Sequence, residues 1–353
     1  MNMDVCLVGD RGIIENKSDA SQIYNKGFFG EPQHGGTLLL DFFELVYLLE
    51  FRKVNVVDGK GRAYGLEELI NYAHKRIKSF EIKYIVYRDM RSRGFVLKKG
   101  DEEIHFMVFP RGAVPTKTPA KYWLIAMSER QIFDYAQMYR CAERAHELKK
   151  EVLIGTVDEE SDLTYYIMRI ASMHGNFSEQ IEGKITGIFL EDRVLIFDEL
   201  HSNQLYQSGF YGHMVGTRLQ LSLIEACYLA EKNVLELIDA RTQKTMDVEN
   251  FRRKCRKIQK DFDARFQVYK ELKSKKLIVK TGFKYGTHFR AYEGNPDQTH
   301  AKYLVHAVPS NYKGIWPDIS GAVRLAHGVK KSIIFAGVGD ERVMYLSLER
   351  IRP

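Results

Sequence analysis

QTHAKYLVHAV, at Gln298–Val308, has a near copy far upstream, KTPAKYWLIAM at Lys117–Met127. The two share Thr, Ala, Lys and Tyr in the same order, but the second has His300 where the first has Pro119. The displacement is not confined to this pair. DRGIIENKSDASQIYNKGFFG (Asp10–Gly30) matches DRVLIFDELHSNQLYQSGFYG (Asp192–Gly212), including the Gly-Phe-aromatic-Gly ending. LLLDFFELVYLLE (Leu38–Glu50) matches LQLSLIEACYLAE (Leu219–Glu231), and VYRDMRSRGFVLKKG (Val86–Gly100) matches VYKELKSKKLIVKTG (Val268–Gly282). AHELKKEVLIGTV (Ala145–Val157) matches AHGVKKSIIFAGV (Ala326–Val338). Five matches at nearly one offset mark an internal duplication.

The first repeat spans residues 1–170 and the second 183–353, divided into an N-terminal subdomain (183–280) and a C-terminal one (281–353). Ala171–Glu182, polar and without periodicity, is the expected linker. Each repeat opens with short β segments such as VLIF and continues into amphipathic helices. One is the basic stretch VENFRRKCRKIQKDFDARFQVYKELKSKK, where Phe251, Cys255, Ile258, Phe262 and Phe266 recur at three- and four-residue spacing. A β-rich segment follows, interrupted by one helix over Pro317–Val329. Pro317 suits its first turn, Ile319, Val323 and Ala326 its apolar face, and Gly328 its end. The expectation is an α+β protein of two tandem repeats. Each has an N-terminal mixed α/β subdomain, then a C-terminal subdomain with a mixed β-sheet flanked by helices.

Length and composition agree. The 353 residues allow two or three domains, and 44% apolar residues suffice for packed cores. No apolar run approaches the 18 or so residues of a membrane span. The start, MNMDVCLVGDRG, does not read as a signal peptide. The four cysteines are scattered, without a CxxC pair. We read the chain as intracellular, with the cytoplasm as its compartment and no membrane partner. Its formal charge is +7, and Val248–Lys276 alone holds 11 Lys/Arg against 4 Asp/Glu. That run reads either as a solvated helical face or as a phosphate-facing surface.

Metal-dependent chemistry finds no pattern. Pro296-Asp297 and Pro317-Asp318 lack a following acid-x-Lys triplet, and HxH, HExxH, Walker and Rossmann patterns are absent. No metal or cofactor is expected. The acid/base groups of the second repeat are Tyr292, His300 and Lys331. His306, an even number of residues from His300 and read as part of the same strand, is the rival imidazole; Lys330 is the rival amine.

The segments around them, GFKYGTHFRAYEGNPDQTHAKYLVHAV and RLAHGVKKSIIFAGV, carry GFKxG…FRxY, HxKYLVH and RxAxxVxKxxxFA. Together these resemble the archaeal tRNA-splicing endonuclease family. The two-repeat layout resembles its homodimeric form, with one catalytic and one degenerate repeat. Tyr285 stands where the motif usually has Phe. The resemblance implies that Tyr292 is the general base, His300 the general acid and Lys331 the cation that stabilises the phosphorane. It implies cleavage of precursor tRNA at the two edges of an intron within a bulge-helix-bulge, leaving a 2′,3′-cyclic phosphate and a 5′-hydroxyl. RNA supplies its own nucleophile, the 2′-hydroxyl, so a base, an acid and a cation suffice. Lys331 is expected to lower the phenol's pKa, ordinarily near 10. Arg324 and Arg350, with Arg352 behind the latter, match the family's pair that sandwiches a bulge base. Asp158, Glu159, Glu160 and Asp162 match an acidic loop of the degenerate repeat that docks into the partner subunit. In the first repeat Pro119 replaces the histidine and FMVFPRG offers no phenol. The alternative is a non-catalytic RNA-binding or structural subunit of a splicing complex.

Overall fold

A computed structural model of the chain describes residues 3–340 and 342–353. It contains one small sheet twice. In the first repeat its six strands run Glu31–Pro32, Leu38–Leu40, Arg11–Ile14, Asp4–Val8, Asn55–Val57, Ala63–Tyr64 across the sheet. In the second the order is His213–Val215, Arg218–Leu221, Arg193–Ile196, Ile185–Leu190, Leu235–Asp239, Thr245–Met246. Both copies have one parallel pair, Asp4–Val8 with Asn55–Val57 and Ile185–Leu190 with Leu235–Asp239.

The duplicated motifs are the punctuation of this sheet. Helix Lys17–Gly27 is capped by Asn16, and Glu199–Gly209 by Asp198; both end on a left-handed aromatic, Phe28 (φ 54°) and Phe210 (φ 53°). The next helices, Phe42–Glu50 and Leu223–Glu231, open with capping boxes, Asp41/Glu44 and Ser222/Glu225. The box glutamates reach further. Glu44 also accepts the Gly30 N–H at 2.8 Å, and Glu225 the Gly212 N–H at 2.9 Å. Gly212 has φ +57°, and a Cβ there would lie 2.3 Å from the Gln220 carbonyl oxygen. The repeated Gly-Phe-aromatic-Gly ending is therefore a backbone requirement.

Each C-terminal subdomain is a five-stranded mixed sheet. In the first repeat the strands are β1 (Val96–Lys99), β2 (Phe106–Phe109), β3 (Tyr122–Ser128), β4 (Glu151–Val157) and β5 (Leu163–Ile170). In the second they are β6 (Ile278–Thr281), β7 (Phe289–Tyr292), β8 (Tyr303–Pro309), β9 (Ser332–Val338) and β10 (Val343–Ile351). Neighbours are antiparallel except β3/β4 and β8/β9, which are parallel and joined through helices α2 (Tyr135–Glu147) and α4 (Trp316–Gly328). Helices α1 (Phe80–Ser92) and α3 (Phe262–Ser274) pack on one face of their sheets. Tyr269 and Phe266 of α3 share a core with Val279, Phe289, Ala291, Tyr303 and Val305. The chain is α+β as expected, and α4 begins within a residue of the expected Pro317, with that proline in its first turn. Among the described residues no helix is long and apolar enough to cross a membrane.

The basic stretch departs from its reading as one continuous apolar stripe. Helix Val248–Ile258 stops where Gln259 turns extended (φ −130°, ψ 104°), and α3 begins afresh at Phe262. Phe251, Cys255, Phe262 and Phe266 are buried, but Ile258 is 46% exposed. A three- and four-residue spacing carried across a helix break assigns one residue too many to the core.

The chain falls into two compact units. One runs through Gln131, resumes over Cys141–Met168 and takes in Ile351–Pro353; the other comprises Ile132–Arg140 and Arg169–Arg350. Within the second unit Ile132–Asp134 pairs antiparallel with Lys313–Ile315, and the Tyr135 hydroxyl lies 2.6 Å from the Met344 carbonyl while accepting the Gly337 N–H. The expected linker has no helix or strand. It is bound along the second repeat by Gly175 and Phe177 N–H bonds to the carbonyls of Lys275 and Lys276, and by Asn176 to that of Glu293.

The glycine requirement is testable by unfolding. Gly212→Ala should cost roughly 2 kcal/mol or more, combining left-handed strain with overpacking. Gly216→Ala has similar φ (+65°) but open space around it, and should cost only about 1 kcal/mol. Equal losses would show that the close approach at Gly212 is immaterial.

Candidate active site

Strand register locates the site before any side chain is considered. Ala291 pairs with Tyr303, and Tyr303 with Ser332, so one row crosses β7, β8 and β9. The row just beyond it holds Tyr292, Lys302 and Lys331. Backbone bonds tie this edge together: Lys302 N–H to the Ala291 carbonyl, and Ser332 N–H to the Lys302 carbonyl. With strands about 4.8 Å apart, the Cα atoms of Tyr292 and Lys331 are separated by roughly 10 Å across one intervening strand. The N-terminal ends of β8 and β9 thus meet the C-terminal end of β7, and the three sequence candidates gather there.

Tyr292 is 6% exposed, packed with Ile278 and Ala301 under Phe177 and Phe210. Ala301 follows His300, so the imidazole's own backbone abuts the phenol's cluster. His300 closes the turn after Tyr292. That turn is held by Asn295, whose carbonyl accepts from the N–H groups of Gln298 and Thr299 and from the Thr299 hydroxyl at 2.8 Å. His300 is exposed and has no hydrogen-bond partner among the described residues. It precedes β8 instead of sharing it, which corrects the reading that placed His300 and His306 in one strand.

His306 lies mid-strand. Its ring stacks on Phe335 at 5.6 Å between centroids and meets His288 edge-on. Burial, then the Arg265 charge, holds its pKa below the ordinary histidine value. His288 accepts the Ala307 N–H at Nδ1 (2.9 Å) and is pushed down to about 4, chiefly by burial. His105 repeats this arrangement on Ala126. Alignment at 181 or 182 residues overlooks that pair because the turn before β7 is one residue longer than its counterpart before β2.

Lys330 occupies the left-handed position that ends α4 (φ 54°) and points outward; Lys331 N–H closes back onto the Ala326 carbonyl at 2.9 Å. The half-buried Lys331 ammonium stands 5.9 Å from the Tyr285 ring centroid, without a hydrogen-bond partner among the described residues. The first repeat has the same cap at Lys149, but there Lys150 Nζ donates to the Ala120 carbonyl at 2.9 Å. Register also identifies what replaces the phenol. Val96 opposes Phe109 as Ile278 opposes Tyr292, so the first repeat has Phe109, Pro119 and a satisfied Lys150.

Electrostatics correct one expectation. Burial pushes the Tyr292 phenol above its ordinary value, and the cation that opposes this is Arg290, not Lys331. The Arg290 guanidinium stands 5.8 Å from the Tyr292 ring centroid. Sequence reading passed over Arg290, although it lies inside the GFKxG…FRxY segment, and noted Tyr285 only as a departure from the motif.

Arg324, on α4, is exposed and donates to Ser320 Oγ at 3.1 Å; Arg350, near the end of β10, is exposed without an ion pair among the described residues. Asp158, Glu159, Glu160 and Asp162 form the exposed turn between β4 and β5. The Asp158 carboxylate accepts the N–H groups of Glu160 and Asp162, and Glu159 pairs with Arg130. Several bases of the basic stretch are paired, with acids inside and outside it: Arg252 and Arg256 with Asp263, Lys270 with Glu231, Lys254 with Asp239 and Arg265 with Asp261. That favours the solvated-face reading.

The architecture and the site have counterparts. The sequence model of the tRNA intron endonuclease N-terminal domain matches residues 3–70 and 185–252, and that of the catalytic C-terminal domain matches 80–165 and 262–345. The chain belongs to the tRNA intron endonuclease family. Proteins named tRNA-splicing endonuclease resemble it end to end. That of Methanosarcina acetivorans is 38% identical, over 99% of this chain and 100% of its own. The Methanococcoides burtonii protein is 37% identical, over 98% and 99%. The Haloferax volcanii protein is 31% identical, over 97% and 98%. Both of the endonuclease family's domains therefore occur twice in this chain, in tandem, and the site lies in the second catalytic-type domain.

The two histidines should part company in stability. His300→Ala, at an exposed turn, should change unfolding free energy by less than about 0.5 kcal/mol. His306→Ala, stripping a stacked, mostly buried ring, should cost about 2 kcal/mol. Denaturant unfolding of the two variants compares them directly; equal losses would contradict the placement.

Proposed function

We propose that this chain excises introns from precursor tRNA by cutting at the two edges of a bulge-helix-bulge, without a metal ion. The observation that carries the reading is the convergence of Tyr292, His300 and Lys331 at one end of the second-repeat sheet, where the first repeat has Phe109 and Pro119. Tyr292 takes the proton of the 2′-hydroxyl, which attacks the adjacent phosphorus. His300 returns a proton to the departing 5′-oxygen. Lys331, without a hydrogen-bond partner among the described residues, neutralises the charge that builds on the non-bridging oxygens. The ends left are a 2′,3′-cyclic phosphate and a 5′-hydroxyl. Exposure suits the division of labour: His300 is exposed and Lys331 half-buried, so both can meet an incoming RNA, and the phenol is buried against its cluster.

In this reading residues 1–170 form a non-catalytic repeat, 171–182 the linker and 183–353 the catalytic repeat. Two cuts at fixed separation require two sites, which a two-fold homodimer supplies. The acidic turn Asp158–Asp162 is the assembly element, and Arg324 with Arg350 holds a flipped bulge base.

Cleavage of a bulge-helix-bulge RNA in EDTA tests the chemistry. The wild-type chain should cut at full rate. His300→Ala and Tyr292→Phe should each lose about 10²- to 10⁴-fold, with RNA binding retained. Loss of wild-type cleavage in EDTA would show that a metal takes part, and intact RNA despite tight binding would mark a non-catalytic binding subunit. Replacing Asp158, Glu159, Glu160 and Asp162 by their amides should convert dimers to monomers in light scattering; a mutant still dimeric would remove the turn from the interface.

A further inference from the structure

We infer that Arg290 is a positioning residue for Tyr292, holding the phenol beside a fixed positive charge so that it can surrender its proton; this rests on the reading of Tyr292 as the base. Arg290 and Tyr292 are two apart on β7 and share the face away from Phe289 and Ala291, which enter the main core. The guanidinium stands 5.8 Å from the ring centroid, and its Nε is buried without a hydrogen-bond partner among the described residues. A buried, unsatisfied donor costs stability, so a purely structural role explains the residue poorly.

The duplicated strand supplies a control built into the chain. Lys280 opposes Arg290 in register, and Lys98 opposes Met107. Lys98 and Lys280 make the same bond, to the carbonyls of Gly30 and Gly212. The first repeat thus keeps the strand, the register and the lysine bond with methionine in the arginine's place. What it lacks along with the arginine is the phenol, which is Phe109. Arginine and phenol occur together in one repeat and are replaced together in the other, and the fold is the same in both.

The other groups that face Tyr292 do not duplicate this charge. Lys280, across from Arg290 on β6, is committed to the Gly212 carbonyl, and Tyr285 from the preceding turn opposes ionisation of its neighbour. Glu293, next along the chain, pairs with Lys302 and accepts from the Tyr303 hydroxyl. His300 is exposed at the far end of the turn. Lys331 and Lys284 stand over the Tyr285 ring, 5.9 and 5.2 Å from its centroid, and Lys331 is the cation left for the RNA phosphate. Burial raises the phenol's pKa and Arg290 draws it back. Without the arginine the phenolate is scarcer by one constant factor at every pH well below the phenol's pKa, and the deficit shrinks only as pH approaches that pKa.

The test is single-turnover cleavage of a bulge-helix-bulge RNA across pH, for wild type, Arg290→Met, Arg290→Lys and Tyr292→Phe. Methionine is compatible with this register because Met107 occupies it, and thermal unfolding checks that each variant is folded. Arg290→Met should bind RNA as wild type does. It should cleave roughly ten- to a hundredfold more slowly through neutral pH, a part of what a general base contributes, with the gap closing only at the alkaline end where the wild-type profile levels off. Arg290→Lys, which keeps the charge, should fall between. No loss, a lysine variant no better than methionine, or RNA binding that falls with the rate would each overturn the inference. Tyr292→Phe separates the two levels. If it is inert while Arg290→Met keeps the wild-type profile, only the positioning role fails; if Tyr292→Phe cleaves normally, the base assignment fails and the inference with it.

Discussion

A lysine in a mostly buried setting, bonded to a glycine carbonyl whose own N–H is held by a buried glutamate, is the constraint on which each repeat is built. In the second repeat Lys280 Nζ donates to Gly212 and Gly212 donates to Glu225; in the first Lys98, Gly30 and Glu44 do the same. The glutamate also closes a capping box, so one carboxylate fixes a helix start, a left-handed turn and, through the glycine, a strand of the next subdomain. Charges taken from water cost several kcal/mol each unless paired and hydrogen-bonded, so this node forms with its partners in place or not at all. Burial drives the Lys280 pKa down while Glu225 draws it up. The first repeat carries Asp41 where the second has Ser222, and there burial, then the Asp41 charge, pushes Glu44 up to about 7.

From that node the order extends outward along one face of the sheet. Lys280 sets β6, the register of β6 places Arg290 and Tyr292, and Ala301 packs on Tyr292 and brings the His300 turn against it. Duplication let the two copies keep this frame and differ at its far end. Lys150 shows the consequence. It remains where Lys331 is, but its ammonium satisfies a backbone carbonyl. A lysine is reactive here through what it is free to meet, and sequence identity at the position does not report that.

Much of this was legible because the chain is duplicated. Offsets near 181 residues reveal the repeats, and Pro119 against His300 isolates one imidazole among several. Legibility fell where local pattern and tertiary contact disagree. The spacing of Phe251 to Phe266 is that of a single helix, yet the chain breaks at Gln259 and leaves Ile258 in water. The eleven basic residues of Val248–Lys276 look like a phosphate surface, yet acids from distant segments, Glu231 and Asp239 among them, neutralise several. His105 and His288 are equivalents that a one-residue insertion hides. Arg290 was passed over because its importance is a matter of face and distance, and alternation along β7 gives it the same face as Tyr292 only once the strand is known.

The proposed chemistry sharpens the electrostatic problem at Tyr292. The phenol is buried before RNA arrives, and burial already disfavours its anion. A docking phosphate adds negative charge and excludes more water, so each Coulomb interaction strengthens as the effective dielectric falls. One cation cannot serve both anions well, since a lysine drawn onto the phosphate is withdrawn from the phenolate. Arg290 has its guanidinium beside the ring and its Nε sealed in the protein, whereas Lys331 is a half-buried amine on a long aliphatic stem, without a hydrogen-bond partner among the described residues. A fixed cation for the base and a mobile one for the substrate let the phenol ionise while the phosphate is being neutralised. That pairing is available in the second repeat alone, because the first has Met107 beside Phe109 and its lysine is already spoken for.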